Sequence, residues 1–204
     1  DEELKSKLLL DAIVTVVDVK HIGLHIDAER EAREQIAFAD VVLLNKVDLV
    51  PATEVDRWEE VVRGMNVLAK VYRTKHAEVD IVRLIDIGAF DLSRKPEVSP
   101  EEHRHEGPIH SVSLRERGAL DGKKLNAWLG NLLKTRGQDI FRMKGIVEVA
   151  GESRRVVFQG VHMMFDGRPD RPWQEGEDRS NILVFIGRNL DGGELRSGLQ
   201  SCRI

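Results

Sequence analysis

The sequence predicts an α/β unit built on a parallel, doubly wound sheet, followed by an α+β unit whose sheet is mainly antiparallel. Two observations support this fold class. In the first part of the chain, short apolar runs alternate with amphipathic segments, as in a parallel sheet covered by helices on both faces. In the second part, runs of alternating apolar and polar residues accompany one long amphipathic helix. We therefore expect two domains, residues 1–92 and 109–204, joined by a linker at residues 93–108.

Three runs in the first unit are predicted to be strands because they are short, mostly apolar and rich in β-branched residues: 12–19, 40–44 and 67–72. Helices are expected at residues 27–39 and after Pro51, a residue type favoured in the first turn of a helix. The second of these helices carries an apolar stripe at helical spacing, namely Val55, Trp58, Val62 and Met65. A further helix is expected around residues 79–85.

The second unit follows a linker that contains three prolines, several charges and little apolar content, which favours an exposed connection. We expect a helix at residues 121–136, with Gly137 placed to cap it. Its apolar face comprises Leu125, Trp128, Leu129, Leu132 and Leu133. Strands are predicted at residues 109–114, 141–149, 154–164 and 182–187, with Gly151 in a hairpin-like break. A short helix is expected at residues 194–201.

The composition excludes several classes of protein. Hydrophobic residues make up 41% and charged residues 32% of the 204 residues, as in soluble globular proteins. The net charge of −4 gives no basic excess for nucleic acid or for an anionic membrane. No apolar run approaches the ~20 residues that a membrane span needs. Cys202 is the single cysteine, so no intrachain disulfide can form, which fits a reducing compartment and a cytoplasmic protein.

The strongest chemical signal is Asn45-Lys46-Val47-Asp48, which directly follows the predicted strand DVVLL. Open α/β sheets bind ligands at the carboxyl ends of their strands. Guanine presents two adjacent donors, N1–H and the N2 amine, and the carboxylate of Asp48 can accept both. Adenine would leave that carboxylate unpaired, at a cost of roughly 1–3 kcal/mol or more. Asn45 is expected to face the other base edge and brace neighbouring loops, and the stem of Lys46 to cover a face of the base. The alternative is an ordinary surface turn.

Lys75 lies in a second loop that follows the third predicted strand, Thr74-Lys75-His76. In guanine-nucleotide-binding domains, a loop at this location contacts O6 of the base, usually through backbone N–H groups. We therefore include Lys75 among the predicted base-binding residues. An ordinary strand-to-helix turn is the alternative interpretation.

Beyond the NKVD motif, the sequence resembles the CobW-like GTPases, a family linked to delivery of zinc or cobalt to client enzymes. The run DEELKSKLLLDAIVTVVDVKHI is similar to the family segment that follows switch II, and QIAFADVVLLNKVDLV is similar to its guanine-specificity segment. The second unit resembles the family's C-terminal domain in HSVSLRERGALD, IFRMKGIVEVAG, FQGVHMMFDG and NILVFIGRNLD. The resemblance implies that the first unit is the C-terminal half of a P-loop GTPase domain.

The resemblance also implies a GTP-binding metallochaperone, which uses GTP/GDP with Mg²⁺ and delivers zinc or cobalt to a metal-requiring client protein. Three family elements are absent from this chain and would lie before Asp1: the phosphate loop GxxGxGK[ST], the magnesium-binding switch segments and a Cys-x-Cys-Cys metal motif. A phosphate loop supplies the backbone amides and the Lys that hold the phosphates. We therefore expect no catalytic residues in this chain, no GTPase activity from it alone, and a contribution limited to guanine recognition and partner binding.

Three histidines near the linker, His103, His105 and His110, could bind metal weakly. Zinc sites usually need three or four converging ligands, so we assign no metal ligand, and a solvated linker is the alternative. The segments Arg142-Met143-Lys144-Gly145 and Gly187-Arg188 match family positions in the second unit. They are either charged strand ends or contacts with a client protein or with the first unit.

Two other functions remain open at the level of sequence. The chain could be a non-catalytic protein-interaction module without nucleotide binding, or part of a related maturation GTPase for nickel or cobalt enzymes. The α+β second unit favours the CobW branch over the latter. A phosphate loop upstream of Asp1 would argue against the former.

Overall fold

The computed structural model describes residues 7, 8, 10–89, 108–161 and 164–204, and two sheets organise these parts of the chain. The strands are β1 (Val14–Asp18), β2 (Val41–Asn45), β3 (Lys70–Thr74), β4 (Ile109–Glu116), β5 (Ile140–Val147), β6 (Arg154–Val161), β7 (Met164–Pro172) and β8 (Asn181–Arg188). The α-helices are α1 (Ile22–His25), α2 (Arg30–Phe38), α3 (Ala52–Met65), α4 (Gly122–Arg136) and α5 (Gly192–Ser201). None of the described helices is long and apolar enough to cross a membrane.

The first sheet is parallel, with the order β1-β2-β3, as the sequence predicts. Its central strand β2 is apolar on both faces, and the side chains of Val42 and Leu44 are fully buried against α2 and α3. The predicted stripe of α3 is confirmed, since all four of its residues are buried, at Val55, Trp58, Val62 and Met65. The register pairs Asp18 with Asn45 and Asn45 with Thr74, so the three strands end side by side.

The second sheet is antiparallel, with the order β4-β8-β5-β6-β7. Helices α4 and α5 cover one of its faces, and the core between them contains Phe158, Phe185 and Leu199. The predicted apolar face of α4 is confirmed, because Leu125, Leu129 and Leu132 are buried while Trp128 and Leu133 pack against the same core. Each of these helices is preceded by an N-cap aspartate whose side chain accepts backbone hydrogen bonds from the first turn, Asp121 before α4 and Asp191 before α5.

The other face of the antiparallel sheet packs against the first unit. Phe141, Val184 and Ile186 form a cluster with Ala37 at the end of α2. The rings of Phe38 and Phe141 lie 5.6 Å apart in a tilted arrangement. A sheet that buries both faces explains why β5 and β8 are almost continuously apolar, since neither strand faces water.

The prediction of a helix around residues 79–85 is wrong. The structure has a single 3₁₀ turn there, Ile81–Arg83, whose first free amide, that of Val82, donates to the carboxylate of Asp80. The apolar residues that suggested a helix are exposed, at 59% for Ile81, 67% for Val82 and 55% for Ile85. These side chains have no buried face to pack against in the described structure, and tertiary packing supplies most of the stability of a short helix.

Two further elements were not predicted. The turn that contains His21 and His25 includes the short helix α1. Strand β7 sits at the edge of the sheet and contains Pro169 and Pro172, residues that weaken a strand prediction but are tolerated at an edge. Gly151 has a φ of +81° in the β5–β6 connection, as a hairpin break requires, whereas Gly137 caps α4 with ordinary right-handed dihedral angles.

Candidate base-binding site

The candidate site lies at the carboxyl edge of the parallel sheet, where β1, β2 and β3 end. Two loops leave this edge, one through residues 45–48 after β2 and the other through residues 74–77 after β3. Lys46 has a left-handed backbone with a φ of 66°, and the chain then enters a 3₁₀ turn, Val47–Leu49. A non-glycine residue in this region of φ/ψ space is uncommon and requires support from its surroundings.

Asn45 joins the two loops. Its Oδ1 accepts a hydrogen bond from the backbone N–H of Ala77 at 2.9 Å and another from the hydroxyl of Thr74 at 3.2 Å. The second loop needs this support because His76 and Ala77 both have positive φ, at 52° and 56°. The side chain of Asn45 therefore fixes the position of the loop that contains Lys75.

Lys46 is held by an acidic residue of the neighbouring strand. Its Nζ donates to Oδ2 of Asp18 at 2.6 Å, and His21 Nδ1 lies 2.9 Å from the same oxygen. Burial by itself would raise the pKa of Asp18, but the hydrogen bonds and positive charges of His21 and Lys46 outweigh it and hold that pKa well below its usual range. Asp18 is therefore ionised at neutral pH, which keeps Lys46 attached to the end of β1.

Asp48 lies in the middle of the 3₁₀ turn and is exposed. Within the described parts of the chain, its carboxylate makes no hydrogen bond or ion pair. Both oxygens are thus open to a ligand, and one carboxylate can accept two adjacent N–H donors. That is the donor arrangement of the guanine edge, so the chemistry of this residue fits the base.

Lys75 is exposed, and its carbonyl oxygen accepts a hydrogen bond from the backbone N–H of Glu78 at 3.0 Å. The structure thus brings Asn45, Lys46 and the Lys75 loop together at one edge. Sequence reasoning missed Asp18 and the bracing hydroxyl of Thr74. Asp18 is the only acidic residue in the run 12–19, and an acidic residue at the end of an otherwise apolar run was a usable signal.

The segment Arg142-Met143-Lys144-Gly145 contacts the first unit. Arg142 Nη1 donates to the carbonyl oxygen of Phe38 at 2.9 Å, and Nη2 pairs with the carboxylate of Asp40. Lys144 Nζ donates to the carbonyl oxygen of Ala89 at 2.7 Å, and burial, followed by the charge of Arg142, lowers its pKa to about 8. Arg188 pairs with Asp139 inside the second unit.

His103 and His105 lie outside the described residues. Nε2 of His110 lies 3.1 Å from the carbonyl oxygen of Leu190, within hydrogen-bonding distance. No cluster of three or more histidine, cysteine, aspartate or glutamate side chains is placed to hold a metal ion in the ranges that the structure describes.

Two family profiles match the chain in sequence order. The profile of the CobW/HypB/UreG nucleotide-binding domain matches residues 1–73, and that of the cobalamin synthesis protein cobW C-terminal domain matches residues 109–203. The zinc chaperone YjiA of Escherichia coli is 29% identical over 207 residues, which cover 99% of this chain and 64% of YjiA. The zinc-regulated GTPase metalloprotein activator 1 of Saccharomyces cerevisiae is 27% identical over 236 residues, covering 94% of this chain and 54% of the yeast protein.

The fold is also that of a solved relative. The crystal structure of Zn(II)-bound YjiA GTPase from E. coli superposes with a TM-score of 0.88 and 28% identity, covering 100% of this chain and 64% of that chain. The chain thus spans less than two thirds of the length of these relatives. Since both profiles match in order and the fold is shared along the whole chain, the chain belongs to the CobW-like family of metallochaperone GTPases.

Proposed function

We propose that this chain is the distal part of a GTP-binding metallochaperone and that it supplies guanine recognition and a partner-binding domain. Membership of the family supports nucleotide binding, and the geometry at the end of β2 supports recognition of the guanine base. The phosphates and Mg²⁺ would be held by residues outside this chain, where the phosphate loop and switch segments of the family lie. The intact protein would be the GTPase, and this chain alone would not turn over GTP.

The exposed carboxylate of Asp48 is the observation that carries the proposal. It sits at the carboxyl edge of a parallel sheet, where such sheets bind ligands, and both of its oxygens are available. Asn45 braces the loop of Lys75, and the side chain of Lys46 extends to Asp18 at the end of β1. In this assignment Asp48 reads the two donors of guanine, Lys46 covers a face of the base, and the loop of Lys75 approaches O6.

Zinc or cobalt is the proposed cargo and a metal-requiring protein the proposed client. The relatives are named as zinc chaperones and as a zinc-regulated metalloprotein activator, which supports zinc in particular. GTP binding and metal binding would then be coupled, and such coupling acts equally in both directions. The single cysteine, Cys202, and the net charge of −4 support a cytoplasmic protein that does not bind nucleic acid.

The substitution Asp48→Asn in the full-length protein tests the base assignment. An asparagine amide can no longer accept both guanine donors but can donate to the O2 carbonyl of xanthine. We expect GDP binding to weaken on the order of 100-fold, because two hydrogen bonds to a charged acceptor are lost. Binding of xanthosine diphosphate should strengthen. Isothermal titration calorimetry with both nucleotides measures the change.

Asp166 is an exposed aspartate on β7 in the second unit, and its substitution Asp166→Asn is the matched control. This variant should leave the affinities for both nucleotides unchanged. An Asp48→Asn protein that still preferred GDP to xanthosine diphosphate would remove Asp48 from the base site. A full-length protein that bound neither nucleotide would overturn the proposed function itself and favour a non-catalytic interaction module.

A further inference from the structure

The carboxylate of Asp18 is fixed in place by its own chain. Oδ1 accepts a hydrogen bond from the backbone N–H of Lys20 at 3.0 Å, and Oδ2 receives Lys46 Nζ at 2.6 Å. His21 Nδ1, 2.9 Å from Oδ2, contributes a third contact. The backbone N–H of Lys20 restrains the carboxylate of Asp18, so this carboxylate has little freedom to move with Lys46. The ion pair therefore restrains the side chain of Lys46.

The strand register places this anchor beside the base-reading loop. Asp18 is the residue of β1 that pairs with Asn45, the last residue of β2, and Val19 N–H donates to the carbonyl oxygen of Asn45 at 3.1 Å. Lys46 follows Asn45 directly, with its backbone in the left-handed region. Its four-carbon stem therefore crosses from the end of β2 to the end of β1, a gap of about 4.8 Å between neighbouring strands.

We propose that Asp18 is a positioning residue that holds Lys46 by its ammonium group, so that the aliphatic stem forms a fixed apolar surface for one face of the guanine base. The inference rests on the proposed function, because it assigns a role at the same site. Asp18 does not touch the base in this arrangement and acts only through Lys46.

The exposure of the pair distinguishes positioning from stabilisation. The side chains of Lys46 and Asp18 are 43% and 32% exposed, and ion pairs this exposed contribute little to the stability of a fold. Lysine has one of the most flexible side chains, and ordering it at the moment of binding weakens a ligand's affinity. A tether that orders Lys46 beforehand improves base binding while leaving the folding equilibrium nearly unchanged.

The first test uses GDP binding to the full-length protein with Asp18→Asn, Lys46→Met and the double variant. Asp18→Asn should weaken GDP binding by roughly fivefold to tenfold, with an unchanged unfolding midpoint. Xanthosine diphosphate binding to Asp48→Asn should weaken by the same factor when Asp18→Asn is added. Residue 48 contacts the edge of the base, whereas Asp18 acts only on the Lys46 stem that covers its face. In the Lys46→Met background, Asp18→Asn should change the GDP affinity by less than about twofold, as expected for a residue that acts only through Lys46.

An unchanged GDP affinity in Asp18→Asn, or a full effect that persists in the Lys46→Met background, would overturn the role of Asp18. Either result leaves the proposed function standing as long as the wild-type protein binds GDP and Asp48→Asn switches the base preference. A purely structural role would lower the unfolding midpoint and would be independent of Lys46.

A second test needs no nucleotide and uses the full-length protein. Limited acylation with acetic anhydride, read by peptide mass spectrometry, compares Lys46 with the exposed Lys123 of α4. In the wild-type chain Lys46 should react several-fold more slowly than Lys123, because its ammonium is bonded to Asp18. Asp18→Asn should remove most of that difference. Equal rates for Lys46 in the two chains would show that no tether exists in solution.

Discussion

At the scale of the residue, the least expected group is Lys144, a cation held at the junction of the two units. Its ammonium donates to the carbonyl oxygen of Ala89, and it shares the junction with Arg142 and Asp40. Burial and the neighbouring Arg142 favour its neutral form, while Asp40 opposes them, and the net effect lowers its pKa from 10.5 to about 8. The periodicity of the sequence does not predict such a residue, because β5 is apolar apart from Arg142 and Lys144.

Replacement of Lys144 by Met should change the pH dependence of stability. Below pH 8 the lysine is protonated in both states, so the folded protein carries the full cost of its charge. Between pH 8 and about 10.5 the unfolded state holds a proton that the folded state has released, so wild-type stability rises relative to Lys144→Met. The relative gain should approach about 3 kcal/mol. Urea unfolding from pH 7 to pH 10 measures it.

Lys134→Met, on the exposed side of α4, gives the baseline for removal of a surface lysine. The difference between wild type and Lys144→Met should therefore be read against the difference between wild type and Lys134→Met at each pH. A wild-type advantage that stayed constant from pH 7 to pH 10 would mean that Lys144 does not change its protonation on folding in this range.

At the scale of the element, periodicity predicted the segments whose apolar face is buried. The stripes of α3 and α4 were predicted correctly because helical spacing and burial coincide at residues such as Val62 and Leu129. It failed at residues 79–85, where Ile81 and Val82 are apolar but exposed. The pattern of a single segment records which residues are apolar, and only the rest of the fold decides which of them are covered.

The packing of α5 on α4 makes a contrast between two helical glycines. A Cβ added at Gly198 of α5 would overlap the indole of Trp128, and that ring is in turn packed edge-on against Phe185. A Cβ added at Gly130 of α4 would meet no atom within 4 Å. Alanine is the better helix former by about 1 kcal/mol, so the local preference is the same at both positions and only the packing differs.

We therefore expect Gly130→Ala to stabilise the chain by about 0.5–1 kcal/mol and Gly198→Ala to destabilise it by roughly 1–3 kcal/mol. Chemical unfolding of the two variants gives the comparison directly, with Gly130→Ala as the matched control for helix propensity. A gain of stability in both variants would contradict this prediction. It would mean that the indole of Trp128 can move away from residue 198.

At the scale of the whole molecule, Asp40 connects the two units. Its carboxylate pairs with Arg142 of β5 and accepts the backbone N–H of Ile13 at 2.9 Å, while its carbonyl oxygen accepts the N–H of Lys70 at 2.9 Å. Asp40 thus links the starts of all three parallel strands to the antiparallel sheet. Ser111 of β4 adds a second link, donating to the carbonyl oxygen of Met65 at 2.9 Å.

Such long-range pairs mark the limit of what the sequence could predict. The NKVD loop and the strands other than β7 follow from local patterns, because each is encoded within a few consecutive residues. Asp18 and Lys46 are 28 positions apart, and Asp40 and Arg142 are 102 positions apart. A single sequence shows that each is charged and sits near an apolar run, but the identity of the partner is decided only when the sheets assemble.

Arg142→Met should destabilise the chain and separate the unfolding of its two units. The pair is only 2% and 5% exposed, and removal of one member of a buried pair costs about 3–5 kcal/mol because the other charge is left unpaired. Trp58 reports on the first unit and Trp128 on the second, and the fluorescence of each can be isolated by Trp→Phe substitutions at the other tryptophans. The two probes should give coincident urea transitions in the wild type and separate transitions in the variant.

Arg188→Met, which breaks the more exposed pair with Asp139 inside the second unit, should keep the transitions together. Coincident transitions in Arg142→Met, with stability close to wild type, would show that the apolar contacts of Phe38 and Phe141 suffice to join the two sheets.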